Sequence, residues 1–279
     1  MKLRVVELLL ITTLPAMVLA EQGLPSLSLT IATLVGGTLA AGSANAFNMI
    51  IEAESDRLMS RTSNRPLATG ALSIAQANIF AIAIGFLSLG IFQYFTNSLA
   101  TILTAIAILY YVFVYTVGLK RNTEQNIVWG GAAGCMPALI GWAAVTNSLS
   151  ITAWLWFFVI FFWTPPHFWA LAIKYKDDYA AAKIPMLPVV APRNRVRRWM
   201  LIHTWAMVAS SLLLVAQANL GLITGLVTLA IGSYFLFEIY RLKDSGEEYE
   251  KAAARIFHGS ITYLSLLSVV LVAAQLLSA

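Results

Sequence analysis

The chain has 279 residues, of which 59% are hydrophobic and only 11% charged, and it contains a single cysteine. This composition excludes a soluble globular domain, a disordered segment and a disulfide-stabilised scaffold. The formal net charge is +5, and its meaning depends on where the basic residues lie along the chain.

Apolar runs long enough to cross a bilayer recur along the whole sequence. We count nine, at about 5–20, 27–51, 70–95, 98–118, 126–144, 150–175, 199–217, 220–240 and 259–278. No Pro-, Gly- or Ser-rich stretch is long enough to act as a linker. We therefore predict one all-α domain over residues 1–279, a polytopic membrane protein with about nine transmembrane helices around a central cavity.

The basic residues occupy alternate connections. All 18 Lys and Arg residues precede the first run or lie at or between runs two and three, four and five, six and seven, and eight and nine. The positive-inside rule then predicts a cytoplasmic N-terminus and an external C-terminus. The net charge reflects topology, so we expect no nucleic-acid partner. Residues 1–20 also resemble a secretory signal, although Glu7 interrupts its apolar core, and their retention stays open.

Polar residues occur at helical spacing where the second run ends. Asn48, Glu52 and Asp56 are four residues apart, which places them on one helix face over about 12 Å. Asn45 lies deeper, where an amide facing lipid would be costly. Three arginines follow, at Arg57, Arg61 and Arg65. Acceptors beside cations suit a hard divalent ion that holds phosphate oxygens, and a solvated helix end with an Arg–Glu ladder is the simpler alternative.

A second acidic pair follows the sixth run. Asp177 and Asp178 lie close to Lys174, and an ordinary Lys174–Asp178 ion pair would explain this spacing. However, both acidic clusters occur at the inner ends of even-numbered helices. We therefore predict that they face one opening and bind a diphosphate through two Mg²⁺ ions. Lys120 and Arg121, on the inner loop between them, would clamp phosphate oxygens, unless they serve only as topology determinants.

The sixth run contains the segment Phe161-Phe-Trp163-Thr-Pro-Pro-His167-Phe-Trp169. Its two adjacent prolines predict a broken helix, which is tolerated where protein or a cavity surrounds the break. The aromatic rings suit the wall of a pocket for a flat or polyprenyl guest. His167 is a candidate to ligate iron or bond a carboxylate, and a packed histidine that donates to a freed carbonyl is equally consistent.

In combination, these segments resemble the UbiA-type intramembrane prenyltransferases. The segments are Ser43-Ala-Asn45-Ala-Phe-Asn48 through Asp56, Arg61-Thr-Ser-Asn-Arg65-Pro66-Leu67, Tyr115-Thr-Val-Gly-Leu-Lys120-Arg121 with Asn126 and Gly130-Gly131, Trp163 through Trp169, and Asp178-Tyr179 with Ile184-Pro-Met-Leu-Pro188. The Pro-Pro-His-Phe-Trp and Ile-Pro-Met-Leu-Pro segments point to the branch of the family that modifies haem. Two positions depart from the family pattern. Glu52 replaces Asp but keeps the carboxylate, and Lys183 replaces a Gly, which puts the turn before Ile184 in doubt.

The resemblance implies that farnesyl diphosphate alkylates a vinyl group of haem b, with addition of water and loss of diphosphate, to give haem O. The implied cofactor is Mg²⁺, and its ligands would be Asn48, Glu52, Asp56, Asp177 and Asp178. The diphosphate would be bound by Arg61, Lys120, Arg121 and Lys174, and the haem or prenyl pocket would include Asn45, Trp163, His167 and Trp169. The implied location is the cell (inner) membrane with the site on the cytoplasmic side, and a haem-handling enzyme or a terminal oxidase is a candidate partner.

Other functions fit parts of the sequence. Prenyl transfer to a quinone precursor or a chlorophyll-like acceptor would use the same donor and the same acidic clusters. A transporter would explain a broken sixth helix and an apparent repeat of helix groups, but transporter sites lie near the bilayer midplane. A structural assembly protein would leave the paired acidic clusters unexplained.

Overall fold

The computed structural model describes residues 3–60, 62–242 and 246–278, and every regular element in these ranges is helical. The predicted all-α class is therefore confirmed. In chain order the helices are α1 Leu3–Glu21, α2 Leu27–Ile51, α3 Ala53–Asp56, α4 Pro66–Thr69, α5 Ile74–Phe95, α6 Ser98–Leu109 with a π-helical continuation Tyr110–Leu119, α7 Asn126–Gly130, α8 Ala132–Thr146, α9 Ile151–Lys174, α10 Lys176–Ala181, α11 Leu187–Val190, α12 Arg193–Gln217, α13 Gly221–Tyr240 and α14 Gly246–Ser278.

Eight helical spans in these ranges are long and apolar enough to cross a membrane. They coincide with eight of the nine predicted runs, with α6 and its π-helical continuation as one span and α7 with α8 as another. The first run is α1, whose described apolar part, Ile11–Glu21, is shorter than a span. The protein is a multi-pass membrane protein. A count of nine spans and the sidedness of the termini stay predictions.

Each short turn on the predicted outer side contains the N-cap residue of the helix that follows it. Ser26, Asn97 and Ser150 each accept a hydrogen bond from the backbone N–H three residues later, at 3.3, 3.0 and 3.2 Å. Each bond satisfies a donor that the first turn of a helix leaves free, and such a cap contributes about 1 kcal/mol. These turns are therefore tight connectors with little room for a site.

The N-terminal helix is part of the hydrophobic core. The indole N–H of Trp156 donates to the Thr12 carbonyl at 2.8 Å, and the Ser268 hydroxyl donates to the Ile11 carbonyl at 2.9 Å. Thr12 and Met17 are fully buried. Helix α1, whose retention the sequence left open, is thus hydrogen-bonded to both α9 and α14.

Two predicted features of the helices are wrong. Helix α9 runs from Ile151 to Lys174 through Pro165 and Pro166 without the expected break, since its neighbours hold it along its length and the indole N–H of Trp163 donates to the Ser260 carbonyl of α14 at 2.7 Å. Helices α12 and α14 also begin well before their apolar runs, because a charged turn can continue a helix beyond membrane depth.

A small apolar cluster joins the inner connections at one end of the bundle. We call it the loop core, and its buried members are Met59, Ile127, Ala172, Tyr179, Ala182, Ile184 and Met186. These side chains come from the connection after α2, from α7, from α9 and from the connection between α9 and α12. The loop core therefore places both predicted acidic clusters at the same end of the protein.

The turn before Ile184 places Lys183 in a backbone conformation that favours the glycine of the family pattern. Lys183 has φ +54°, in the left-handed region, and its side chain is exposed. A residue with a Cβ atom is strained there, whereas glycine is not.

We expect Lys183→Gly to raise the free energy of unfolding by about 0.5–1 kcal/mol. Glycine relieves the strain of the left-handed conformation, and its greater backbone entropy in the unfolded chain offsets part of that gain. The matched control is Lys183→Ala, which also removes the charge but keeps the Cβ atom and should give no gain. Thermal unfolding in detergent measures both. A glycine variant no more stable than the alanine variant would contradict the assigned strain.

Candidate active site

The first predicted cluster is buried and keeps its helical register across a helix end. Helix α2 ends at Ile51 and α3 begins at Ala53. Even so, the Glu52 N–H donates to the Asn48 carbonyl at 3.0 Å, and the Asp56 N–H donates to the Glu52 carbonyl at 2.8 Å. The three residues of the predicted face, Asn48, Glu52 and Asp56, are each only 3% exposed. A solvated Arg–Glu ladder is therefore not what the structure contains.

Each buried carboxylate is paired with a cation from another part of the chain. The Lys120 ammonium lies 2.5 Å from Glu52 Oε2, and the Arg65 guanidinium lies 2.5 Å from Asp56 Oδ2. The second Glu52 oxygen, Oε1, is buried and has no hydrogen-bond partner among the described residues. A buried carboxylate oxygen with no donor is costly, so the cluster retains one strong acceptor for a further cation.

The π-helical segment carries Lys120 to this position. The Lys120 N–H donates to the Tyr115 carbonyl at 2.9 Å, and the Thr116 hydroxyl donates to the Tyr111 carbonyl at 2.8 Å, both five residues back. The Thr116 hydroxyl in turn accepts a 3.2 Å hydrogen bond from the Asn48 amide. Wide turns of this kind are rare and occur mainly at functional sites. The predicted span over 98–118 is confirmed as Ser98–Leu119, and the sequence did not reveal that its part from Tyr110 to Leu119 is π-helical.

The loop after the π-helical segment contributes two further side chains. Arg121 donates to the Ser55 hydroxyl at 2.7 Å, which places it beside the cluster as predicted. Asn126 is 1% exposed, and its amide donates to the Lys120 carbonyl at 3.2 Å. Its Oδ1 has no partner in the part of the chain that the structure describes. Arg65 and Asn126 were absent from the predicted site. The four-residue step from Arg61 to Arg65 was visible in the sequence, whereas the pairing of Arg65 with Asp56 was not.

The second acidic pair divides between two environments. Asp178 accepts a 2.6 Å hydrogen bond from the Ser60 hydroxyl, which bridges the two acidic connections. Asp177 instead lines a separate charged cavity of about 130 Å³, together with Lys174 and Arg193. The Lys174 ammonium lies 5.5 Å from the ring centroid of Tyr175. The structure thus bonds Asp178 to the connection that carries the first cluster, whereas Asp177 and Lys174 line the separate cavity.

An apolar cavity of about 150 Å³ lies among α1, α2, α6 and α8, deeper in the bundle than the cluster. Asn45 and Tyr111 line it, and the other lining groups include Ala41, Ile108 and Ile140. Tyr111 is also close enough to interact electrostatically with the charged groups of the cluster. The cavity and the cluster are therefore neighbours, joined through the residues around Tyr111.

The aromatic segment of α9 lies away from that cavity. His167 is stacked between the Trp163 and Phe257 rings, at 4.3 and 4.6 Å between centroids, and its Nδ1 lies 2.7 Å from the Ser260 hydroxyl. Trp169 is fully buried and meets the edge of His203 at 5.3 Å. Of the four residues predicted for the haem or prenyl pocket, only Asn45 lines the apolar cavity. His167 is thus packed between rings, but its hydrogen-bond partner is the Ser260 hydroxyl of α14 and not a carbonyl freed by the prolines.

Two predicted features cannot be placed on this geometry. Arg61 lies outside the described residues. Within the ranges that the structure covers, no three His, Cys, Asp or Glu side chains approach closely enough to hold a metal ion by themselves. Any ion at the cluster must therefore take ligands from amides, water or a bound anion as well.

Residues 9–261 match the family model described as the UbiA prenyltransferase family. The chain belongs to this family. It is accordingly an enzyme, a prenyltransferase, and the transporter and assembly-protein alternatives are not needed. Its two acidic connections also lie at one end of the bundle, where the loop core gathers them.

Sequence relatives align over nearly the whole chain. The "Protoheme IX farnesyltransferase" of Clavibacter michiganensis subsp. michiganensis is 52% identical over 267 residues, covering 95% of this chain and 87% of that protein. The protein of the same name from Frankia casuarinae is 53% identical over 270 residues, covering 96% and 93%.

Solved structures share the fold at low sequence identity. A UbiA homologue from Archaeoglobus fulgidus bound to GPP and Mg²⁺ has a TM-score of 0.69 at 17% identity, covering 97% of this chain and 98% of that chain. An apo UbiA homologue from Aeropyrum pernix has a TM-score of 0.69 at 18% identity, covering 100% and 98%.

We expect Lys120→Met to lower the free energy of unfolding by about 3–5 kcal/mol, because it leaves the buried Glu52 carboxylate without its cation. Adding Glu52→Gln removes the uncompensated charge and should restore most of the loss. Chemical unfolding in detergent measures both variants, with Lys176→Met as the control for loss of an exposed ammonium. A double variant as unstable as Lys120→Met would show that the pair does not determine this stability.

Proposed function

We propose that the protein transfers the farnesyl group of farnesyl diphosphate to a vinyl group of haem b, with addition of water and release of diphosphate, to give haem O. The supporting observation is a buried cluster of paired charges with one free carboxylate oxygen next to an apolar cavity. The acceptor is suggested by the relatives at 52% and 53% identity, whose names specify protohaem and a farnesyl group.

The donor set of the cluster fits Mg²⁺. This ion prefers oxygen ligands, retains several waters and binds through one or two carboxylates together with substrate phosphates. Glu52 has an unpartnered buried oxygen for it, and Asn48 and Asp56 flank Glu52 at four-residue steps. We assign the first ion to these three residues and a second to Asp178, which Ser60 ties to the same end of the cluster. When bound, Mg²⁺ neutralises the negative charge that develops on the leaving diphosphate.

Cationic side chains would hold the diphosphate oxygens. Lys120, Arg121 and Arg65 converge on the cluster, bonded there to Glu52, Ser55 and Asp56 respectively. Each can turn one or more donors toward a bound anion, and the arginines present two-pronged geometry for phosphate. We add Arg65 to the predicted set, keep Arg61 as a candidate on sequence alone, and assign Lys174 no part in the diphosphate site.

The proposed reaction requires cleavage of an allylic C–O bond, attack by the vinyl π electrons to form a C–C bond, and capture of the new cation by water with loss of a proton. The fixed cations of the cluster favour the first step because they stabilise negative charge on the leaving group without rearrangement. The apolar cavity lined by Asn45 and Tyr111 would take the farnesyl chain and keep water away from the allylic carbon. The face of the Tyr111 ring, which lines this cavity, would stabilise positive charge on the allylic carbon.

The α9 segment would support the acceptor side of the site. Trp163 and His167 fasten α9 to α14 through Ser260, and Trp169 packs against α12 through His203. We propose that these residues shape the pocket for haem b by fixing these helices. The site would face the cytoplasm in the cell (inner) membrane, and a haem-handling enzyme or terminal oxidase stays a candidate partner.

We expect Asp56→Asn to lower farnesylated-haem formation by about a hundredfold or more, since it removes a charge that a bound ion and Arg65 both require. Glu54→Gln is the matched control, because Glu54 is an exposed carboxylate on the same short helix. Purified protein with haem b, farnesyl diphosphate and Mg²⁺ is assayed by reversed-phase chromatography of the haem and by diphosphate release.

Two outcomes of this assay would count against the proposal. Near-normal product from Asp56→Asn would remove the cluster from the diphosphate site. Absence of a farnesylated haem from the wild-type protein, together with prenylation of an aromatic quinone precursor in a parallel reaction, would replace haem b as the acceptor.

We expect Asp178→Asn to weaken Mg²⁺-dependent activity by at least about tenfold, and Asp177→Asn to change it little. The two residues are adjacent in sequence, so each variant is the other's control for local charge. Activity is measured as a function of Mg²⁺ concentration, and the Mg²⁺-induced shift of the unfolding temperature gives a second measurement. Equal losses in the two variants would mean that Asp177 turns toward the diphosphate when ligands bind.

A further inference from the structure

A groove with no assigned role lies on the surface between α12 and α13. Its volume is about 550 Å³, and its main lining side chains are Arg197, Arg198, Leu201, Ile202, Trp205 and Tyr240. Helix α12 begins and α13 ends at this groove. The groove shares no lining residue with the acidic cluster or with the apolar cavity.

The polar groups of the groove are held in place, and no described carboxylate neutralises their positive charge. Arg197 donates from one terminal nitrogen to the Tyr240 carbonyl at 3.0 Å, and the Trp205 indole N–H donates to the Tyr240 hydroxyl at 3.1 Å. A guanidinium has five N–H donors, so Arg197 keeps several for another acceptor. No carboxylate is among the groove-lining residues that the structure describes.

Neighbouring cations are compensated, which sets Arg197 and Arg198 apart. Arg195 is paired with Glu124, and both Arg241 and Arg255 approach Glu238. Within the described parts of the chain, neither groove arginine has a carboxylate within ion-pair distance. Two adjacent guanidinium groups without counter-charge favour a bound anion.

The groove changes from charged to apolar along its length. Arg197 and Arg198 lie near the start of α12, Leu201 and Ile202 follow one turn later, and Trp205 lies about 12 Å beyond Arg197 at 1.5 Å per residue. Trp205 and Tyr240 are about half exposed, as is typical of aromatic residues at a membrane interface. This order of charge, aliphatic surface and indole matches a phosphate headgroup followed by an acyl chain.

We infer that this groove binds the headgroup phosphate of an anionic membrane phospholipid, with an acyl chain along Leu201 and Ile202. The guanidinium groups would contact the phosphate, and the lipid would fill the space between α12 and α13. Farnesyl diphosphate and free phosphate share the headgroup chemistry, but a long-lived phospholipid ligand accounts for both the charge and the length of the groove.

The test compares wild-type protein with the double variant Arg197→Gln/Arg198→Gln in detergent micelles with added phosphatidylglycerol or phosphatidylcholine. Phosphatidylglycerol is expected to raise the unfolding temperature of the wild type more than phosphatidylcholine does, and the double variant should lose at least half of that difference. Native mass spectrometry should show fewer co-purified phosphatidylglycerol molecules on the variant. Lys176→Gln/Lys183→Gln, which removes two exposed cations elsewhere, is the matched control and should respond as the wild type does.

The single variant Arg198→Gln keeps the Arg197–Tyr240 bond and tests the groove if the double variant does not fold. A response to phosphatidylglycerol that is equal in wild type and groove variants would overturn the inference. Full stabilisation by inorganic phosphate alone would make this a free-anion site instead. Displacement of bound phosphatidylglycerol by farnesyl diphosphate at equal concentration would make it a substrate entry site, which also overturns the assignment.

Discussion

The structure depends on two buried ion pairs at one end of a membrane bundle, Lys120 with Glu52 and Arg65 with Asp56. Carboxylates this deeply buried are unstable without a cation, because desolvation costs several kcal/mol per charge. Lys120 comes from a connection that is distant in sequence, whereas Arg65 lies nine residues after Asp56 in the same connection. Folding must therefore bring the connections before and after α5 and α6 together. The loop core then fixes them, through apolar side chains from the same segments.

This arrangement separates charge binding from hydrocarbon binding. The ion pairs and Asn126 lie around one end of the π-helical segment, and Tyr111 near its beginning lines the apolar cavity. One helix therefore positions both a cationic group and a hydrocarbon wall. The geometry suits a substrate with a charged head and an apolar tail, whatever accepts the transferred group.

Much of the fold was predictable because a helix that crosses a membrane requires an apolar run of about 20 residues, which is visible in the sequence. The i,i+4 spacing of Asn48, Glu52 and Asp56 likewise predicted a shared face, and the structure keeps it across the end of α2. The pairing of Arg65 with Asp56 and the burial of Asn126 could not be predicted, since both depend on how an irregular connection folds back on itself and packs.

The failures have physical causes as well. Pro165 and Pro166 predicted a break, yet α9 is continuous, and the Trp163–Ser260 bond together with packing against its neighbours holds it in place. Adjacent residues such as Asp177 and Asp178 are about 100° apart on a helix, so sequence proximity did not imply a shared site. Trp163 and Trp169 are buried in the hydrophobic core, and their expected place at the haem or prenyl pocket stays a prediction.

The unbroken register between Asn48 and Asp56 also restricts how this segment can evolve. One inserted residue would rotate everything after it by about 100° and would turn the Asp56 carboxylate away from Arg65. A substitution at Glu52 that preserves a carboxylate would keep this register, whereas a change in length would not. The exposed turn at Asn219 between α12 and α13 has no such constraint, so insertions and deletions among natural variants should accumulate there and avoid residues 48–56.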